Sequence, residues 1–239
     1  RIEELPETFP LTENQKRVRD GVQSNQPVVS KDLGRALEAI SYPAYYLDFE
    51  TFMTAIPLYP DMPPYVQIPI QYSIHICSGP GRITAHREYL TDPKRDCRRA
   101  LAERLLRDLG EKGSIIAYSP FEKTIINKLS EHFPELSSAL LALIDRIVDL
   151  EAILRKHFYH PDFHGSTSIK KTLPVLVPDM SYDGLEIANG DTAMSAFALM
   201  AQGHYGDGEI ETIRKNLLDY CRQDTLAMVR LHERLLEYA

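Results

Sequence analysis

The stretch Ala44-Tyr45-Tyr46-Leu47-Asp48-Phe49-Glu50-Thr51 decides how this chain is read. Residues 44–49 are an apolar, aromatic run ending among carboxylates, the composition of a β-strand. Side chains of a strand alternate between its two faces. Leu47 and Phe49 are therefore expected to enter a core, while Asp48 and Glu50 project together from the opposite face near the strand's end. Two adjacent carboxylates repel each other, and a shared divalent cation accommodates both in ionised form. Two solvated acids at a strand end are the plainer reading of the same pair.

Outward from that strand, Pro57, Pro60, Pro63 and Pro64 make residues 51–64 a loop. Residues 68–76 and 84–90 read as two further strands joined by the turn Ser78-Gly79-Pro80-Gly81. Helical periodicity over 92–109 (Ala100, Leu101, Leu105, Leu109) stops at Gly110 and Gly113. A short strand at 115–118 precedes a helix over 121–132, then a helix over 135–145 and a strand over 146–149. Beyond 150 the pattern is helical, over 151–158, 169–176, 191–201 and 210–238. Three strands followed by helices alternating with two more predict an α/β fold with a mixed five-stranded sheet flanked by helices. Upstream, prolines 6, 10, 27 and 43 punctuate a polar stretch, so residues 1–43 are expected to be an N-terminal helical arm or linker and 44–239 one domain. Within the arm, Thr12-Glu13-Asn14-Gln15 starts one short helix and Ser30-Lys31-Asp32-Leu33 caps another.

Composition narrows the classes. The 239 residues are 44% hydrophobic and 26% charged, enough for a sizeable core. No apolar run approaches the roughly 18 residues of a membrane span. The 27 Lys and Arg against 34 Asp and Glu, a net charge of −7, argue against a strongly basic nucleic-acid coat. They leave room for a nucleic-acid enzyme with a local basic patch and an acidic site. Cys77, Cys97 and Cys221 are too few and scattered for a disulfide framework, so free thiols in a cytoplasmic protein are expected. The chain opens at Arg1 without a secretion signal and reads as a piece of a longer protein with an upstream region.

Two more motifs carry carboxylates. Tyr220-Cys221-Arg222-Gln223-Asp224 lies within the last helix, where four residues make about one turn, so Tyr220 and Asp224 share a face. Ser119-Pro120-Phe121-Glu122 follows the 115–118 strand and puts a carboxylate on the first turn of a helix. That placement is favoured by the helix dipole alone.

Together the three motifs resemble the DEDD superfamily of 3′→5′ exonucleases, the DnaQ-like branch of the RNase H-like fold. Asp48 and Glu50 match the family's Asp-x-Glu on an apolar strand. Phe121-Glu122 stands in the place of its Phe-Asp, and Tyr220 and Asp224 match the Tyr-x-x-x-Asp of the tyrosine subclass. The histidine subclass would need His where this chain has Asp219. A nearer similarity, over about 40–238, is to an uncharacterised bacterial family that carries this domain C-terminally. The wording at 45–52 (YYLDFETF), 67–75 (QIPIQYSIH), 166–174 (STSIKKTLP) and 220–228 (YCRQDTLAM) carries it. Two features depart from the superfamily pattern: Glu122 replaces Asp, and Ser119 lies near the place of the usual Asn.

The resemblance implies a metal-dependent 3′→5′ exonuclease acting on single-stranded DNA or RNA ends. It implies two Mg²⁺ or Mn²⁺ ions about 3.5–4 Å apart. Asp48 would bridge them, Glu50 and Asp224 would complete one site, Glu122 would hold water on the other, and Tyr220 would orient the attacking water. The alternatives are a catalytically degenerate domain that binds nucleic acid or a partner protein, and a hydrolase of short oligonucleotides. Asp149, at the end of the 146–149 strand, either caps the following helix or stands behind the metal ligands. Lys170, Lys171, Arg214 and Lys215 are the candidate contacts to a nucleic-acid backbone, with Lys170 alternatively pairing with a site carboxylate. Phe52, with Tyr45, Tyr46, Tyr65 and Tyr72, is a candidate to stack on a terminal base. His157, His160, Asp162 and His164 read as a polar loop lacking zinc-site spacing.

Overall fold

A computed structural model describes residues 2–6, 8–60 and 62–239 of the chain. After a 3₁₀ turn at Ile2–Glu4, helix α1 (Glu13–Ser24) starts at the expected place. Thr12 Oγ1 accepts from the Gln15 N–H while the Gln15 side chain accepts from the Thr12 N–H, a reciprocal cap. β1 (Val28–Val29) and α2 (Leu33–Glu38) follow. Then come β2 (Ala44–Phe52), β3 (Ile68–Cys77), β4 (Ile83–Leu90), α3 (Arg98–Leu109), β5 (Ile115–Ala117) and α4 (Phe121–His132). The chain continues through α5 (Ser137–Ile144), β6 (Ile147–Asp149), α6 (Leu150–His157), β7 (Phe158–Tyr159), α7 (Ile169–Leu176), α8 (Gly190–Ala201) and α9 (Asp207–Leu236).

Five strands form one mixed sheet in the order β4-β3-β2-β5-β6. β2, β3 and β4 pair antiparallel, whereas β5 and β6 run parallel to β2. The strand carrying Asp48 and Glu50 is thus the central one, and helices cover both of its faces. On one face Leu47 and Phe49 join Tyr72 and Ile74 beneath Leu101 and Leu105 of α3 and Ile125 and Leu129 of α4. On the other, Tyr46 packs with Met228, Leu231 and Leu235 of α9. The alternation expected from the sequence is found.

The 30 residues of α9 run about 45 Å along that second face. Its middle crosses β2 and β3, where a buried polar cluster replaces apolar packing. Thr225 Oγ1 lies 2.8 Å from both Ser73 Oγ and His75 Nδ1, and Ser73 is the cross-strand partner of Asp48. Gln71, opposite Glu50, donates to the Leu217 carbonyl at 2.9 Å. These bonds fix the helix against the strand at the height of the carboxylates.

Several sequence boundaries shift, the last helix, expected over 210–238, running Asp207–Leu236 among them. β2 continues through Phe52, with an irregular register between Glu50 and Thr51. The helix expected from residue 92 begins at Arg98, because Asp92 and Asp96 accept from the N–H groups of Lys94 and Arg98 and close local turns instead. The helix expected from residue 135 begins at Ser137, after a 3₁₀ turn at Pro134–Leu136. The N-terminal segment lies on the rest of the molecule. β1 pairs with β7, and Leu33, Leu37 and Ile40 are buried with Tyr46 and Leu231.

Candidate metal centre

Three elements far apart in sequence deliver four acids to one place. β2 brings Asp48 and Glu50, α9 brings Asp224, and the first turn of α4 brings Glu122. One carboxylate oxygen from each of Asp48, Glu50 and Asp224 lies within 4.8 Å of the other two. Oxygens bound to a Mg²⁺ at about 2.1 Å are separated by about 3–4 Å, so the three acids fit around one small hard cation. Glu122 stands outside that trio, where the Ser119 hydroxyl donates to it at 3.4 Å. Its charge still bears on both Asp48 and Glu50. Asp48 is half-buried, and the other three acids are buried.

Burial and mutual repulsion raise the acids' proton affinities together. Burial, then the charges of Asp224, Glu50 and Glu122, push Asp48 well above the usual carboxylate range. Burial and Asp224 raise Glu50 to about 8, against a downward pull from Lys170. Glu122 rises to about 7 and Asp224 to about 6, burial being the first cause in each. Such a group of desolvated acids favours either shared protons or a multivalent cation.

Polar side chains hold the third motif from outside. Tyr220 is buried one turn from Asp224, and burial followed by the Asp224 charge raises its phenol well above the ordinary value. Tyr182, on the loop between α7 and α8, donates to Asp224 Oδ1 at 2.5 Å. The Lys170 ammonium donates to the Ala188 carbonyl at 2.9 Å and to the Tyr220 hydroxyl at 3.3 Å. The Cys221 thiol donates to Asp48 Oδ2 at 3.4 Å.

A family model described as a domain of unknown function, DUF2779, matches residues 45–168, just over half of the chain. The chain belongs to that family. Comparisons with curated proteins and with solved structures found no match. The region shared with DUF2779 includes Asp48, Glu50, Glu122 and Asp149 and ends before Lys170, Tyr182, Tyr220 and Asp224.

Other residues singled out in this DUF2779 chain fall in different places. Asp149 caps α6, its Oδ1 accepting from the Ala152 N–H at 2.8 Å, and its charge also raises Glu122. Phe52 is a correction: it is only 1% exposed, tilted against Phe197 at 5.3 Å between ring centroids and edge-on to Tyr59 at 6.0 Å. Helix α8 covers the sheet at that height, so no face of the ring is open to a base. Tyr45, Tyr46 and Tyr72 are buried too, whereas Tyr65 is exposed. Arg214 donates to the carbonyls of Leu90 and Thr91, and Lys215 pairs with Asp219, so both are engaged within the molecule. Lys171 is exposed and, among the described residues, has no hydrogen bond or ion pair to the site. In the histidine loop, His160 Nδ1 accepts from the Asp162 N–H, and the short Pro161–Phe163 turn keeps the loop local. All three cysteines are unpaired and buried. Among the described residues no helix is long and apolar enough to cross a membrane.

Tyr182 is the residue that the sequence did not single out. It sits in an aperiodic loop 42 residues from Asp224, and no local pattern announces the contact.

Proposed function

We propose that this domain is a metal-dependent 3′→5′ exonuclease that hydrolyses phosphodiester bonds at single-stranded DNA or RNA ends. It would have the RNase H-like, DnaQ-like fold of the DEDD superfamily's tyrosine subclass. The convergence of Asp48, Glu50 and Asp224 within 4.8 Å, from a central strand and a distant helix, carries the reading. The mixed sheet supports it, as does the placement of Tyr220 and Glu122 beside the trio.

Asp48, Glu50 and Asp224 would hold the divalent ions, Mg²⁺ or Mn²⁺, with Glu122 holding water. Bound there, such ions supply positive charge to the scissile phosphate and acidify the attacking water. Tyr220 stays a neutral phenol at working pH, since its proton affinity is raised. It therefore orients the water by hydrogen bonding rather than deprotonating it. Tyr182 fixes the rotamer of Asp224, and the Thr225–Ser73–His75 cluster holds α9 at the matching height on β2.

The test is cleavage of 5′-labelled single-stranded DNA and RNA with Mn²⁺, Mg²⁺ or chelator, beside Asp48→Ala. A stepwise, metal-dependent ladder that disappears in Asp48→Ala is expected. Cleavage that survives Asp48→Ala or chelator would refute the assignment. Cleavage of short oligonucleotides alone would instead indicate an oligonucleotide hydrolase. No cleavage of either polymer, with nucleic acid or a partner protein still bound, would indicate a domain that binds without cutting.

A further inference from the structure

Lys170 lies outside the three acidic motifs, and its position runs against local preference. It is the second residue of α7, where the helix dipole disfavours a cation. The residue is exposed overall, yet its ammonium turns inward while Lys171, its neighbour, stays at the surface. There the Nζ donates to the Ala188 carbonyl and to Tyr220 Oη. It also sits 5.4 Å and 5.3 Å from the ring centroids of Tyr182 and Tyr220. An ammonium near two aromatic faces is attracted to both. One side chain therefore joins α7, the loop before α8, and α9.

The direction of the bond to Tyr220 follows from chemistry. An ammonium has three donors and no acceptor, so the phenol oxygen must accept from it. The phenol's single proton is left to point elsewhere, and the carboxylate of Asp224 stands one turn along α9. Tyr182 directs its own proton to the same carboxylate.

We propose that Lys170 is a positioning residue that holds the Tyr220 hydroxyl by donating to its oxygen, so that the phenol proton is aimed at the carboxylate cluster. Its kinetic consequence rests on the exonuclease reading above; the contact itself does not. This role differs from direct attraction of a substrate phosphate, in which Lys170 would act on binding and independently of Tyr220.

The experiment combines kinetics with a resonance that needs no activity. Lys170→Met keeps the stem and removes both donor and charge at a surface helix start. It should lower kcat about tenfold or more with KM little changed, because a misaligned group in a reacting centre costs at least that. Lys170→Arg, which retains donor and charge, should recover part of the loss. In a Tyr220→Phe background Lys170→Met should cost nothing further, since the group it positions is gone. An undiminished loss in that background, or a raised KM at unchanged kcat, would overturn the proposal in favour of a phosphate contact. In parallel, 3-fluorotyrosine placed at position 220 is read by ¹⁹F NMR. Lys170→Met should shift or broaden its resonance, and an unmoved resonance would overturn the proposal. Should the unsubstituted protein fail to cleave, the exonuclease reading fails, and the ¹⁹F result still decides whether Lys170 holds Tyr220.

Discussion

Neutralising Glu50 should stabilise the metal-free protein at alkaline pH. Burial, reinforced by the Asp224 charge, holds the Glu50 carboxyl at about 8 in the fold against an ordinary 4.5. An acid whose proton affinity rises on folding keeps its proton longer in the native state than in the unfolded chain. Stability is therefore full below about pH 4.5 and falls as pH climbs towards 8. Each pH unit in that window is worth about 1.4 kcal/mol, so the whole window amounts to about 5 kcal/mol. Asp224 and Glu122 are raised within the same cluster, so removing one charge relieves the others and the three contributions do not add. In chelator at pH 8, Glu50→Gln is expected to gain about 2 kcal/mol in urea unfolding. At pH 4.5 the gain should nearly vanish, because the folded state is protonated there and the unfolded state is already half protonated. Saturating Mn²⁺ should reverse the order, since the unsubstituted chain has the additional ligand. A Glu50→Gln protein less stable than its parent at pH 8 in chelator, or with the same pH slope, would refute the electrostatic account of this site.

Other substitutions separate holding the site from building the core. Tyr182→Phe removes the donor to Asp224 Oδ1 and should weaken Mn²⁺ affinity about tenfold with little change in melting temperature; unchanged affinity by calorimetry would discount Tyr182. Phe52→Ala should cost about 3–5 kcal/mol in urea unfolding, as expected for a large core ring. A loss under about 1 kcal/mol with weaker oligonucleotide binding would return Phe52 to the substrate surface. Thr225→Val strips the hydroxyl that joins Ser73 and His75 and should cost about 1–3 kcal/mol; a neutral result would show that the bond from Ser73 to His86 suffices without it.

The parts of the site legible in the sequence are those set by local periodicity. Alternation along β2 separates Leu47 and Phe49 from Asp48 and Glu50 without knowledge of the fold, and one helical turn pairs Tyr220 with Asp224. Glu122 was not legible from its place on a helix's first turn, which the dipole alone favours; only the resemblance of the three motifs together singled it out. Phe52 shows where the same rule misleads. It shares the carboxylate face by alternation, but α8, more than a hundred residues downstream, buries that face with Phe197. Tyr182 reaches Asp224 through a loop without periodicity, and the inward turn of Lys170 depends on α7, α9 and the Ala188 carbonyl meeting. Both are products of tertiary packing. The N-terminal segment reads as a helical arm or linker with two short helices, and both helices are found. That Leu33, Leu37 and Ile40 join the core depends on partners in α6 and α9, which local pattern does not reveal.

A divalent cation held by Asp48, Glu50 and Asp224 is detected by Mn²⁺ binding followed by electron paramagnetic resonance. The unsubstituted protein should take up Mn²⁺ at a site competed by Mg²⁺, with affinity at least about tenfold lower in Asp48→Asn and in Asp224→Asn. Binding undiminished in both variants, or no uptake by the unsubstituted protein, would show that the three acids hold no cation.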